Sequence, residues 1–464
     1  MSTERPGAGR AARFGRTFAV VAVLLAAVGL GGAAVTTAQG PRVTHIEVDP
    51  ATSITVSGSR VILTLTQAVA DVAPEQVTVT PDAGFRIDTA GRSIGIRFDQ
   101  PLWDETEYTI RIDGVEALGG GPVGRVEEAF TTPALQTFLL RRGGEDDDDT
   151  IFRTDLTGST AVPVYTDEHI EDYRATGSHL IVSTVDEDGL SHLVVTDLDG
   201  ESPRELALPG DGYVADLQAA DRGARIGYTF SDADIGADHG RESVLYTTSL
   251  TDPDAAPVAF ERAAEARTVQ WRFVPGTDRV LIMTFDGALT LAAPDGAEPV
   301  ALGSAVSIHG IAEGSTVAFL DTVTGPIGMN LTTTDEEPLA ETGPERGQTG
   351  AVVPVPGGDT LRVLSTLDGF TVTSTEAALV DPAGQTRSVF SVAPEDALLH
   401  TCVSPSGRYA AFLVAPGAVD NPYDGYQLPL PGRVQTHIVA LADGGELVAL
   451  DGFDISWCET APSP

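Results

Sequence analysis

The chain has 464 residues, enough for two or three domains with sizeable cores. Lys+Arg total 28 against Asp+Glu 67, a formal net charge of -39, and every fixed cation is arginine. That balance excludes nucleic acid and anionic lipid as partners, which need clustered cations, and the absence of lysine excludes a P-loop lysine, a Schiff base and a Ser-x-x-Lys nucleophile pair.

Residues 1–40 read as a cytoplasmic tail and export element. Arg5, Arg10, Arg13 and Arg16 precede the uncharged run "FAVVAVLLAAVGLGGAAV" (18–35), and Thr36 and Ala38 follow at the small-residue positions of a cleavage site. This run lies between a signal-peptide core and a short membrane span in length, so a cleaved signal and a retained anchor both fit. Either one leaves the positive end in the cytoplasm and sends the rest outside, secreted or anchored on the outer side of the cytoplasmic membrane. No cysteine lies near the run, which excludes an acylated lipoprotein.

Residues 41–133 read as β throughout. "VTHIEVDP", "RVILTLTQAV", "QVTVTPDA", "FRIDTAG", "SIGIRFDQ", "EYTIRIDGV" and "EEAFTTP" are short β-branched or alternating runs, with turn residues between them at the spacing of a β-sandwich. The order "VDPA", "PLWDETEYTIRI" and a closing "FTT" resembles bacterial Ig-like domains of exported proteins. The resemblance implies that Leu102, Tyr108 and Thr109 belong to a core-packing strand signature and that Phe130–Thr132 end the last strand. It also implies a spacer or adhesion module without catalytic residues.

From residue 136 a long-period repeat takes over. An apolar strand, a short acidic or small turn and then, in most copies, glycine recur as "IFRTDLTG", "LVVTDLDG", "LYTTSLTD", "LTLAAPDG", "MNLTTTDE", "AALVDPAG" and "IVALADGG". These copies end at residues 158, 200, 252, 296, 336, 384 and 445, so their spacings are 42, 52, 44, 40, 48 and 61. A period of that size with four strands per unit predicts propeller blades. Between the copies lie strand–turn–strand segments such as "RFVPGTDRVLIMTF" and "CVSPSGRYAAFLV". The last of these resembles the Ser-Pro-Asp-Gly-Arg signature of TolB-like, WD-repeat-like propellers, with Ser406 in place of Asp. The resemblance covers residues 136–464.

The ends of the repeat predict how the ring closes. "LQTFLLRR" lacks an inner strand before it, and "FDISWCET" is an inner strand without outer strands after it, so joining them makes seven blades with a closing blade of mixed origin. The C-terminus is then expected inside the ring, and deletion of the last ten residues is expected to open it. The same placement puts Cys402 and Cys458 on neighbouring inner strands. In an exported protein this predicts a disulfide latch. Two buried free thiols are the alternative, while a metal or catalytic pair lacks a ligand at the required spacing.

"GGEDDDDT" (143–150) falls between the two middle strands of the first blade. The corresponding turns elsewhere are acidic or glycine-rich, so the run is expected to be an exposed hairpin tip that discourages edge pairing. Asp146, Asp147, Asp148 and Asp149 are weak Ca²⁺ candidates, since hard cations take several oxygens, but the EF-hand spacing is missing. An electrostatic dock for a basic partner is the third reading.

The eight histidines form no zinc motif, and there is no G-x-S-x-G elbow, no G-x-G-x-x-G after a strand and no sialidase box. A prolyl-peptidase propeller is expected to continue into a hydrolase domain, whereas this chain ends at the ring. His400, Arg408 and Trp271 are placed either to line the central channel or simply to pack within blades.

The expected fold is all-β: an Ig-like β-sandwich, then a seven-bladed β-propeller, with one N-terminal apolar helix. The expected role is non-enzymatic: an exported, envelope-associated scaffold, with no cofactor, that binds a protein, peptide or glycan of the cell envelope and touches membrane only through its N-terminal segment. The alternative is an enzyme acting on envelope glycans through carboxylates in the funnel. A purely structural adhesion protein is a third possibility.

Overall fold

The computed structural model describes residues 18, 20, 21, 23, 40–144, 147–220, 224–236, 239–252, 254–260, 267–294, 296–343 and 346–462. Most of the expected export element therefore lies outside the described residues, as do Glu145 and Asp146. Among the described residues, no helix is long and apolar enough to cross a membrane. The chain divides into two compact units.

The first unit comprises residues up to 50, 60–98 and 107–131. It holds two antiparallel sheets. One pairs Val43–Val48, Arg60–Leu65, Ser93–Phe98 and Phe85–Ala90 in that spatial order, and the other pairs Val77–Thr80, Glu107–Val115 and Gly124–Thr131. Alternation decides which side is buried: Val61, Leu63, Leu65, Ile94, Ile96, Phe98, Ile110 and Ile112 all turn inward. The two sheets meet where the Phe98 ring lies 6.5 Å from that of Tyr108, which in turn stacks 5.9 Å from Phe130. Tyr108 is thus a core residue.

The second unit takes in residues 51–59, 99–106 and 132–464. Leu102, although buried, belongs here, with its N–H donating to Ser53 O. So does Asp104, whose carboxylate pairs with Arg408 at 2.9 Å and accepts from Tyr409 Oη at 3.1 Å. Arg408, one of the residues placed at the channel, is therefore committed to Asp104.

Seven antiparallel sheets follow one another in this unit, each a meander of strands hydrogen-bonded in chain order. Sheets two to seven have four strands. Their first strands, Ile170–Ala175, Gly212–Ala219, Thr268–Phe273, Ser307–Ile311, Gln348–Pro354 and Ala397–Val403, lie side by side in that order. These are the inner strands, and the arrangement is consistent with a β-propeller. The recurrent phrase of the sequence falls on the third strand of each of these six sheets and on the middle strand, Asp149–Asp155, of the first. Apolar side chains from adjacent sheets fill the space between them. Trp271 is fully buried with Phe273, Leu245 and Phe260, so it packs between sheets and does not line a channel. Only a glycine fits opposite it, since a Cβ on Gly227 would stand 2.5 Å from the indole.

The first sheet has three strands, Gln136–Arg141, Asp149–Asp155 and Val162–Asp167. "FDISWCET" reaches it, but not as the full strand expected. Phe453 and Leu140 exchange one pair of backbone hydrogen bonds, and Ser456 N–H donates to Phe138 O. Asp454, between them, takes a left-handed φ of 52°, and this breaks the ladder. Cys402 and Cys458 are joined in a disulfide with Cα atoms 5.4 Å apart, tying the seventh sheet to this closing segment.

A second tie crosses the same junction. Loop 416–434 of the seventh sheet reaches the first and second sheets. The Arg142 guanidinium lies 3.7 Å from the Tyr426 ring centroid and donates to Asp424 Oδ2 at 2.6 Å and Leu428 O at 3.0 Å. Glu171 accepts from the N–H groups of Gln427 and Leu428 at 2.8 and 3.1 Å. Asp149 accepts from Gly143 N–H, Ile170 N–H and Tyr426 Oη at 2.9, 2.7 and 2.9 Å. This corrects the reading of the acidic run. Asp147 and Asp148 are exposed, but Asp149 is fully buried in a strand, with its oxygens taken by donors and unavailable to calcium.

Two outcomes follow for stability. Asp149→Ala leaves three donors unpaired and should cost about 3 kcal/mol in urea unfolding of this unit. Reducing the disulfide, or Cys402→Ser, releases a loop spanning 56 residues and should cost about 4 kcal/mol in the same measurement.

Candidate functional site

Every inner strand of sheets two to seven is bulged against its second strand: at 170–172, 215–218, 268–270, 308–310, 349–352 and 398–400. A bulge adds a residue on one side and re-aims side chains. Here the shifts fall at or beside Asp172, Asp216, Gln270, His309 and His400. Polar residues recur two apart on three of these strands, as Asp172-x-Arg174, Asp216-x-Gln218 and Gln270-x-Arg272. The period of a strand puts both members of the first and third pairs on one face, and across the bulge of the second Gln218 Nε2 donates to Asp216 Oδ1 at 3.2 Å.

At the centre is a buried ion triad. Arg174 Nη1 lies 2.9 Å from Asp172 Oδ1 and 2.7 Å from Asp454 Oδ2, and all three side chains are at least nine-tenths buried. Tyr173 Oη donates to the backbone carbonyl of Asp454 at 2.7 Å. Burial pushes the Asp172 carboxyl well above the usual range; Arg174 opposes this, and the neighbouring Asp454 adds to it. Asp454 is also raised by burial, with Arg174 opposing. Burial works against the Arg174 charge, but the two carboxyls outweigh it and its pKa is raised. Asp216 is raised by burial against the pull of Arg272.

Toward one end of the inner strands a small cavity of about 120 Å³ opens, lined by Arg272, His309, His400, Thr401, Trp457 and Glu459 among others. Thr401 Oγ1 and Trp457 Nε1 are buried in its wall without a hydrogen-bond partner. Arg272 Nε lies 3.7 Å from Glu459 Oε2, and His309 Nε2 lies 3.0 Å from Asp321. Burial, then the Arg174 and Arg272 charges, pulls the His400 pKa down to about 4, so its imidazole is neutral near pH 7. The cavity thus offers a cation, a carboxylate, a neutral imidazole and two unused polar groups within a space sized for one small polar moiety.

Of the three residues placed at the channel from sequence, His400 alone borders this cavity. Asp172, Arg174, Asp216, Arg272, Asp454 and Glu459 went unrecognised. The paired polar positions on otherwise apolar inner strands were the available signal for the first four. A cleft of about 620 Å³ also opens between the fifth and sixth sheets, but its buried charge, Arg362, already donates to Ala340 O and Thr360 Oγ1. Among the described residues one group is compact enough for a metal, His400 with Cys402 and Cys458. Both sulfurs are in the disulfide, which removes the thiolates a soft metal needs.

No protein-family model matches the chain, and no curated protein does. Solved structures do. A prolyl endopeptidase structure matches at TM-score 0.50 with 11% identity, covering 69% of this chain and 48% of that one. The β-propeller domain of Cps50 (Swd1) from Myceliophteria thermophila matches at TM-score 0.41 with 14% identity, covering 61% of this chain and 86% of that one. A TolB structure from Agrobacterium tumefaciens matches at TM-score 0.35 with 15% identity, covering 69% and 90%. At such identities the likeness concerns the fold alone.

The His400 shift has a pH consequence. An unfolded histidine takes up its proton near pH 6.5, and the folded one near 4. The stabilisation from a neutral His400 is therefore complete above 6.5 and is lost as pH falls from 6.5 toward 4. Nuclear magnetic resonance titration should give a His400 midpoint near 4, and His400→Gln should flatten the fall in stability across that interval relative to the native chain.

Proposed function

We propose that this is an exported, envelope-associated binding protein: an Ig-like β-sandwich spacer followed by a seven-bladed propeller of the TolB-like, WD-repeat-like class, which presents its surface to a protein, peptide or glycan. The observation that carries the non-enzymatic part is the triad. The most deeply buried channel carboxyls, Asp172 and Asp454, each pair with Arg174 in the interior, which commits both to that cation and not to a bound substrate. Four arginines before an apolar run support the export step. Seven meandering sheets, the first completed by residue 453, support seven blades, and the four-plus-three strand division supports the Ig-like spacer.

The test joins location with turnover. Fractionated cells should hold the protein outside the cytoplasm, either with a mass beginning near Gln39 or as the full chain in the membrane fraction. Incubated with isolated envelope glycans and peptides, it should bind saturably and release no new reducing ends or amines. Product formation that disappears in Asp172→Asn would replace this reading with the funnel enzyme.

A further inference from the structure

In an antiparallel meander the loop between second and third strands lies at the same end of the sheet as the loop leading in from the preceding sheet. A recurring backbone bond ties these two loops together: Val185 N–H to His169 O, Ala233 N–H to Asp211 O, Phe285 N–H to Arg267 O, Val306 N–H to Asp321 O and Ala418 N–H to Glu395 O. One end of the second unit is therefore built from these loops, sheet after sheet.

Five consecutive sheets, the third to the seventh, each expose a large apolar side chain there. Ile235, Phe285, Val323, Phe370 and Val419 are 47%, 70%, 95%, 104% and 96% exposed. Val306, in the loop entering the fifth sheet, adds a sixth at 60%. Single exposed apolar residues are ordinary on a protein surface. One at the same position of five successive sheets is not. Four of them also stand within two residues of an exposed aspartate: Asp234, Asp286, Asp368 and Asp420.

The sixth sheet shows that fold maintenance does not demand these residues. Its second and third strands pair out to Leu367 with Val372 and Asp368 with Thr371. The inner neighbour's pairing begins only at Ser365, and the outer neighbour's at Thr375. The hairpin end is therefore an unsupported two-stranded finger. It carries Leu367, Val372 and, beside Gly369 at φ 64°, the wholly exposed Phe370. The turn needs that glycine but no aromatic after it.

We propose that this loop face docks a protein surface bearing apolar side chains interspersed with lysine or arginine. The proposal rests on the binding reading above and names its partner class. Charge complementarity selects the occupant, because the aspartates beside the tips repel anionic lipid, nucleic acid and a second copy of the same acidic face. The Phe285 ring shows the contact involved. It already holds the Arg267 guanidinium 4.5 Å from its centroid, and the exposed Phe370 ring offers the same to a partner's cation.

The test uses the exported chain and a fluorescent amphipathic Leu/Lys helical peptide, with a Leu/Glu peptide of equal length as its counterpart. The native chain should bind the Leu/Lys peptide, more weakly as salt rises, and ignore the other. The combined Phe285→Ser, Val323→Ser, Phe370→Ser and Val419→Ser variant should bind about ten-fold more weakly with an unchanged melting midpoint, and Phe370→Ser alone should show part of that loss. Arg272→Gln, in the channel cavity, should bind as the native chain does. No binding, equal binding by the combined variant, or equal binding of the Leu/Glu peptide overturns the proposal. So does tip-dependent flotation on phosphatidylcholine vesicles, which makes lipid the occupant, or a tip-dependent dimer in sedimentation, which makes it a second copy. Loss of binding in Arg272→Gln alone moves the partner to the channel and leaves the scaffold reading standing, whereas turnover of envelope material removes that reading instead.

Discussion

Closing the ring is the constraint on which the rest of the second unit depends. Six sheets bring four strands of their own, but the first brings three and must borrow from residues more than 300 positions away. What it borrows is the bridged pair at Leu140 and Phe453 and one bond from Ser456 N–H to Phe138 O, backbone hydrogen bonds each worth on the order of 1 kcal/mol net. Side chains therefore hold the seam. The disulfide fixes the closing segment to the seventh sheet, and Arg174 reaches from the second sheet to Asp454 beside the bridge. Arg142, Asp149 and Glu171 hold the 416–434 loop across the opposite end. The junction is thus pinned at both ends of the inner strands and in between.

Buried ion triads are rarely the cheapest way to gain stability, because the desolvation of three charges offsets much of their attraction. In this chain the triad has a second consequence. The groups that complete the seam also occupy the middle of the inner strands, so Asp172 and Asp454 are neutralised by their role in closure. Chemistry that needs an ionised, open carboxylate is left with the rim, where Glu459 faces Arg272, and binding is left with the cavity mouth and the loop faces.

Much of this architecture was legible because the third strands repeat a phrase. "LVVTDLDG" and its relatives pair an apolar strand with a turn whose Asp side chain accepts from later backbone N–H groups, as Asp197 does from Asp199 and Glu201, so the period survives in sequence. The cysteine pairing was legible from ring closure, since it needed only the order of strands. Asp149 was not. Five acids in a row read as a solvated tip, and nothing local reveals that the last enters a strand and meets Ile170, Gly143 and Tyr426, the last of these 277 residues away. The channel residues were hidden for a related reason. Inner-strand bulges displace the simple alternation, and Arg174 finds Asp454 280 residues away through closure alone.

The loop face was hidden differently. A lone Phe, Val or Ile in a polar turn carries no periodic signal, and each looks like scatter until strand order aligns the sheets. Once aligned, the excess of carboxylates sets the sign of the charge that complements this face. The aspartates beside the tips are hydrated and cost little while the face is free, and bonds from Thr284 Oγ1 and Ala288 N–H hold the Asp286 carboxyl below the usual carboxylate range. Covering them with an apolar or acidic surface would strip that hydration without return. Covering them with a surface that brings its own cations, while burying Phe285, Val323, Phe370 and Val419, recovers both terms at once.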